Sequence, residues 1–265
     1  MGRKMKSRII LFLIVFTLSG CQSNVIRDIW GVDEESEDVG FLLAEGKYYL
    51  EAEDYDNAYI YYNRALTIDP TSSEARYGIT KTRIARQIDF SFLVHMAEKI
   101  SGVDERQADG DPINGMPLIT PQDFNFDTTY AGRFSYYLFC KQNFMDLHQI
   151  IWGISDGVIP SDDVGLNIDC AVLGLLTGLI IVWRENPEIN AYWDDSLKKY
   201  TINLSSQTIM PSSPYLADTE EYLNWAYLSS DRAYNFSDAH SKSYMRKFRD
   251  IIWSLLNTVR FYRSL

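Results

Sequence analysis

One serine stands at a spacing that could make it a nucleophile. Gly153-Ile154-Ser155-Asp156-Gly157 fits G-x-S-x-G, a pattern that works by holding the serine on a tight strand-to-helix turn. Yet the residues before it, Gln149-Ile150-Ile151-Trp152, continue a helical pattern, no glycine-rich oxyanion loop lies upstream, and His240 is the only downstream histidine available as a base. The stretch therefore reads as a polar turn between helices. Asp156-Gly157-x-Ile159, with Asp162 and Asp163 beyond it, has oxygen ligands placed as in the second half of a calcium loop. The positions that should open such a loop hold Trp152 and Ile154, which offer no side-chain oxygen. Those aspartates read instead as caps, because acids favour the positive end of a helix dipole. His95, His148 and His240 lack paired ligand spacing, and neither a phosphate loop nor a dinucleotide fingerprint occurs. These residues predict no enzyme, no cofactor and no metal site.

A different cysteine chemistry is written at the start of the chain. Arg3, Lys4, Lys6 and Arg8 precede an apolar run from Ile9 to Leu18 with no acid among the first twenty residues, which is the layout of an export signal. The run is too short to span a bilayer as a folded anchor. It closes on Leu18-Ser19-Gly20-Cys21, which resembles the lipobox of bacterial lipoproteins. The resemblance implies cleavage after residue 20, a diacylglyceryl group on the Cys21 thiol, and a membrane partner reached through that lipid. Gln22 rather than aspartate after the cysteine leans toward an outer-membrane, periplasm-facing location. Losing the signal would remove four positive charges and move the net from −11 to −15, which argues against nucleic acid and against a body lying on anionic lipid. About 245 residues would remain, enough for a real core.

Residues 21–40 form a polar tether with the acidic run Asp33-Glu34-Glu35-Ser36-Glu37-Asp38. Its average reach is roughly 25 Å, extended further by like-charge repulsion. From Phe41 the period becomes helical. Leu42, Gly46 and Tyr49 fall at i, i+4, i+7, and Ala58, Tyr62 and Ala65 repeat that spacing before Pro70, which cannot continue a helix. This arrangement resembles the tetratricopeptide repeat, a helix-turn-helix of about thirty-four residues. It departs from the family at Leu42, where tryptophan is preferred, and at Glu45, where leucine is. The resemblance implies that Gly46, Tyr49, Ala58, Tyr62, Ala65 and Pro70 encode helix packing, and that Leu43, Lys47 and Leu50 face a binding groove. Thr71 with Glu74 has the form of a capping box opening another helix along Ala75, Gly78 and Thr82. Advancing Ala58 and Ala65 by one repeat lands on Phe92 and Lys99, so no second full repeat is predicted.

A lone repeat cannot bury its own faces, so the remainder of the chain must stack on it. After the repeat segment 41–101, a loop at 102–127 carries Pro112, Pro117, Pro121 and three glycines. Helices are expected at about 128–152, 166–185, 188–200, 217–233 and 239–263, forming a C-terminal domain over 128–265. Cys170 to Trp183 carries no charge, and Gly174 and Gly178 lie one turn apart, as at a close crossing in a buried central helix. Cys140 and Cys170 lie in apolar surroundings without CxxC or Cys/His spacing, which predicts buried free thiols. A bridge is the alternative, since the residue midway between them, 155, lies in a turn, although packed helix axes are roughly 8–10 Å apart. The last helix sets Tyr244, Phe248, Ile251, Leu255, Val259 and Tyr262 on one stripe with its basic residues mostly off it. That pattern suits a core-facing terminal helix or a membrane-surface one.

The expected protein is all-α, a tetratricopeptide-like helical hairpin packed on a larger α-helical domain. Its expected role is a lipid-anchored envelope scaffold that binds protein partners. An accessory small-ligand component of a transport system is the alternative, and a hydrolase ranks third. Cys21→Ala should abolish incorporation of labelled lipid into the protein, whereas persistent labelling would disprove acylation at Cys21.

Overall fold

The computed structural model describes residues 37–87, 129–186, 189, 191–204, 210–239 and 241–265. Cys21, most of the tether, the loop at 102–127, His95 and His240 lie outside the described residues. Helix α1 (Val39–Glu51) starts where the Asp38 carboxylate accepts a hydrogen bond from the Phe41 N–H at 2.7 Å. It ends before a tight turn in which Glu53 takes φ 60°. Asp54 caps α2 (Tyr55–Ile68) in the same way through Asn57, and Asp69 and Pro70 close it. Helix α3 (Ser73–Gln87) is capped by Ser72, whose hydroxyl accepts from the Ala75 N–H at 3.3 Å. This corrects the capping box expected at Thr71. The Thr71 hydroxyl is already engaged, donating to Asp69 at 2.7 Å.

The larger body follows with α4 (Tyr130–Trp152), α5 (Val164–Glu185), the strands β1 (Ala191–Asp194) and β2 (Lys199–Ile202), α6 (Pro214–Phe236) and α7 (Lys242–Arg263). Among the described residues the fold is all-α apart from that one hairpin, and each helix packs chiefly on its neighbours in the chain. Helix α5 is the one described helix long and apolar enough to cross a membrane, and 78% of its most apolar window is buried inside the protein. It runs through the centre of the body between α4 and α6. At its glycines the neighbours come close: a Cβ on Gly174 would lie 3.1 Å from the Phe144 ring and 3.2 Å from Ala226 Cβ, and one on Gly178 would lie 3.2 Å from Leu223 Cγ.

The helix expected at 188–200 is instead the antiparallel hairpin, with Ala191 opposite Ile202 and Asp194 opposite Lys199. Tyr192, Trp193, Tyr200, Thr201 and Ile202 are aromatic or β-branched and suit a pleated, half-buried surface. The turn is built locally. One Asp194 oxygen accepts from the Ser196 N–H and hydroxyl and from the Leu197 N–H, and Lys198 takes φ 50°. The hairpin leans on α7, where the Ser254 hydroxyl donates to the Tyr200 carbonyl at 2.7 Å.

Cys140 and Cys170 are both buried and free, which removes the bridge. Each thiol has its own neighbour, Tyr136 on the same helix for Cys140 and Ser229 on α6 for Cys170, and burial pushes the Cys170 thiol up to about 12.

One contact sets the spacing of the first three helices. A Cβ on Gly46 would lie 2.9 Å from the Tyr62 ring, and a Cβ on Gly78 only 2.4 Å from it. The ring of α2 thus rests on a bare glycine of α1 and on another of α3. Gly78→Ala should cost about 1–3 kcal/mol through overpacking. The penalty should shrink in a Tyr62→Leu background, because the collision is with the ring. Denaturant melts of the double-mutant cycle give the coupling, and a penalty unchanged by Tyr62→Leu would contradict this packing.

Candidate functional site

The residues that resemble a repeat gather into two small clusters on α1–α3. Leu42 and Ala65 bury with Ala75, and Ala58 and Tyr62 bury with Ile79. Gly46 is buried beneath the Tyr62 ring, whose phenol is raised to about 12 by desolvation and by the nearby charges of Glu74 and Glu51. Tyr49 is half-buried and stacks on Tyr61 with ring centroids 5.3 Å apart and planes 11° from parallel. Pro70 is exposed just past the end of α2, and its carbonyl accepts from Arg76 at 2.9 Å. Leu43, Lys47 and Leu50 form one stripe on α1 at i, i+4, i+7. Leu43 and Leu50 are half-buried against the clusters, while Lys47 is exposed.

The G-x-S-x-G stretch does structural work at the other side of α3. It follows the C-terminus of α4 rather than a strand, and Gly157 takes φ 73°, the left-handed conformation that favours glycine. Asp156 reaches across the chain to the start of α3. One of its oxygens accepts from the Ser73 hydroxyl at 2.6 Å, the Ser73 N–H at 3.2 Å and the Val158 N–H at 3.0 Å. The Asp156 N–H donates to the Thr71 carbonyl at 2.9 Å, and the Ile159 N–H donates to the Ser73 hydroxyl at 2.9 Å. Burial would raise the Asp156 carboxyl, but the hydrogen bonds from Ser73 and Val158 outweigh it and hold the group below the usual carboxylate range. Ser155 Oγ accepts weakly from the Gly157 N–H at 3.4 Å. His148 belongs to a separate neighbourhood, its ring 4.8 Å from Trp152 and 4.5 Å from Trp225. Asp163 caps α5 through the Leu166 N–H at 2.7 Å, and Asp162 is exposed. Among the described residues no group of three His, Cys, Asp or Glu side chains could hold a metal ion.

Two further ties join α3 to the body. The Tyr77 hydroxyl donates to Asp169 at 2.7 Å, and burial raises the Asp169 carboxyl despite that bond and the charge of Lys81. Lys81 Nζ sits 4.2 Å from the centre of the Tyr77 ring. Arg83 pairs closely with Asp146 on α4, and Arg76 approaches the same carboxylate at 3.8 Å. Ser73, Tyr77, Asp146 and Asp169 were not singled out from sequence. The signal was present as Ser73, Tyr77 and Thr80 at i, i+4, i+7, a polar stripe on a helix that must nevertheless be covered.

Asp156→Asn should lower stability by about 1 kcal/mol at neutral pH, a charge-assisted hydrogen-bond contribution discounted for partial exposure. Because the folded carboxyl lies below its unfolded value, this contribution is complete above about 3.9 and fades as pH falls through the folded value. Melts of parent and variant should therefore converge in acid. A gap independent of pH would exclude the carboxylate charge as the cause.

Compared with protein-family models, curated proteins and solved structures, the chain shows no match.

Proposed function

We propose that the protein is a lipid-anchored envelope scaffold, held to the membrane through Cys21 and binding a protein partner along the first helices. The observation that carries this reading is the α1 stripe. Leu43 and Leu50 are packed on one side and open on the other, with the exposed Lys47 between them, in an array whose helices pack one after another. Such arrays present continuous surfaces rather than enclosed reaction chambers, and apolar residues flanking a charge supply both affinity and register. The resemblance of α1 and α2 to a tetratricopeptide repeat supports the same use of that stripe. The acidic tether would give the body a range of roughly 25 Å from the bilayer, within reach of periplasmic partners as well as of the membrane surface.

A photo-crosslinking residue at Lys47, introduced into the full chain in cells, should yield a discrete adduct. Adding Leu43→Asp and Leu50→Asp should remove it, and a crosslinker at the exposed Thr67 on α2 should not form it. Adducts that survive both aspartates, or that form equally from Thr67, would refute binding through this stripe.

A further inference from the structure

The terminal helix reverses the charge of the chain around it. Lys242–Arg263 contains Lys242, Arg246, Lys247, Arg249, Arg260 and Arg263 against the single acid Asp250, in a chain of net −11. Neighbouring acids neutralise part of this. Arg249 pairs with Asp250 and with Asp231 on α6, and Arg260 and Arg263 share Glu220 on α6. Six cations against these three acids leave a local excess of three positive charges. Two of the three lie toward the start of the helix, where Asp238 accepts from the Ser241 N–H and offsets part of the charge, and where Lys242, Arg246 and Arg249 all approach the Tyr234 ring, with the Arg249 guanidinium 4.5 Å from its centre. Arg246 and Lys247 are exposed.

The outward stripe also carries large aromatic surface. On a helical projection Arg246 and Trp253 lie about 20° apart, with Phe261 about 80° round from Trp253 and the exposed Asp250 between them, all away from the buried Phe248, Ile252, Leu255 and Val259. Trp253 is 42% exposed and Phe261 68% exposed. Trp253 is also held in place, its ring 4.8 Å from Tyr227 with the Arg260 guanidinium 5.9 Å from its centre. A helix that only closes the end of an array needs a polar outer face. It does not need a fixed tryptophan in the middle of that face. Cations interleaved with Trp and Phe are what a surface of anionic headgroups selects, because the charges meet phosphates while the rings enter the interfacial layer.

We propose that the outward face of α7, through Arg246, Lys247, Trp253 and Phe261, rests on anionic phospholipid headgroups. The chain's overall negative charge does not prevent this, since screening confines electrostatic contact to about 8–10 Å and only the nearest face counts. The contact goes beyond the scaffold reading and rests on it in one respect, since the lipid on Cys21 would hold the body near the bilayer and raise the effective concentration of this face.

The test uses the purified full chain with vesicles of phosphatidylcholine alone or with phosphatidylglycerol added. Partition is read by sedimentation, and tryptophan contact by quenching with brominated lipid. Phosphatidylglycerol should raise partition and add quenching that Trp253→Phe removes. Arg246→Glu with Lys247→Glu should lower partition on the anionic vesicles about tenfold or more and leave that on the neutral ones unchanged, with parental helicity by circular dichroism. Equal partition of the parent on both vesicles overturns the proposal while leaving the lipid anchor standing. Partition on neither overturns it together with the anchor, so the two failures are distinguishable. Anionic-lipid dependence that the double variant does not alter places the contact elsewhere and also overturns it. So does a face that ignores lipid yet binds a polyglutamate peptide, which would assign it to an acidic protein segment.

Discussion

A helix that is apolar on every side must be covered on every side, and α5 imposes that requirement on the whole molecule. From Cys170 to Trp183 every residue is buried, including Thr177, which turns its hydroxyl back to the Leu173 carbonyl at 2.6 Å. Two long helices flank it, and the glycines at 174 and 178 let the neighbouring side chains approach its backbone. The hairpin between α5 and α6 fills the space beside α7. Helix α3 adds cover near the start of α5 through Tyr77. Burial of this one segment thus explains why the N-terminal helices are attached to the body rather than free of it.

The attachment is made by a different kind of chemistry. Within α1–α3 the contacts are small-to-large, with a tyrosine ring laid over bare glycines and alanines at the crossings. Between α3 and the body the apolar contact of Ile84 is joined by polar and charged ties through Asp156, Asp169 and Asp146. A buried polar group is expensive unless it is paired, so the desolvated Asp169 carboxylate favours the docked orientation in which Tyr77 reaches it. The turn that carries the G-x-S-x-G spacing provides the first of these ties. Asp156 makes the hydrogen bonds to the start of α3, while Ser155 Oγ accepts from the Gly157 N–H within the turn.

Much of the helical framework was legible because period and stop signals act locally. Leu42, Gly46, Ala58, Tyr62 and Ala65 announced their buried faces by spacing alone, Pro70 marked the end of a helix, and the uncharged run at Cys170 marked the centre. The hairpin at 191–202 was not legible in the same way, since its apolar residues are too few to separate a period of two from one of three to four. What decided it was turn chemistry at Asp194 and Ser196. The docking of α3 was hidden for another reason, as Ser73 and Asp156 are 83 positions apart and Tyr77 and Asp169 are 92 apart, distances at which no periodicity operates. Of the candidate site, the α1 stripe could be read from sequence, whereas the position of Trp253 on an outward cationic face required knowing which side of α7 the core occupies.

The division of the core has a consequence for the way the molecule opens. One cluster spans α4 to α7 and the hairpin and includes Ile84 of α3, while α1 and α2 are held by two clusters of three buried residues each. Local opening costs the least where the fewest apolar contacts are broken. Amides of α1 and α2 are thus set to exchange with solvent through a partial opening that leaves the body intact, and α3 is the seam at which that opening stops. A partner that clamps α1 would then be felt as slowed exchange throughout the first two helices, while the protection of α5 stays as it was.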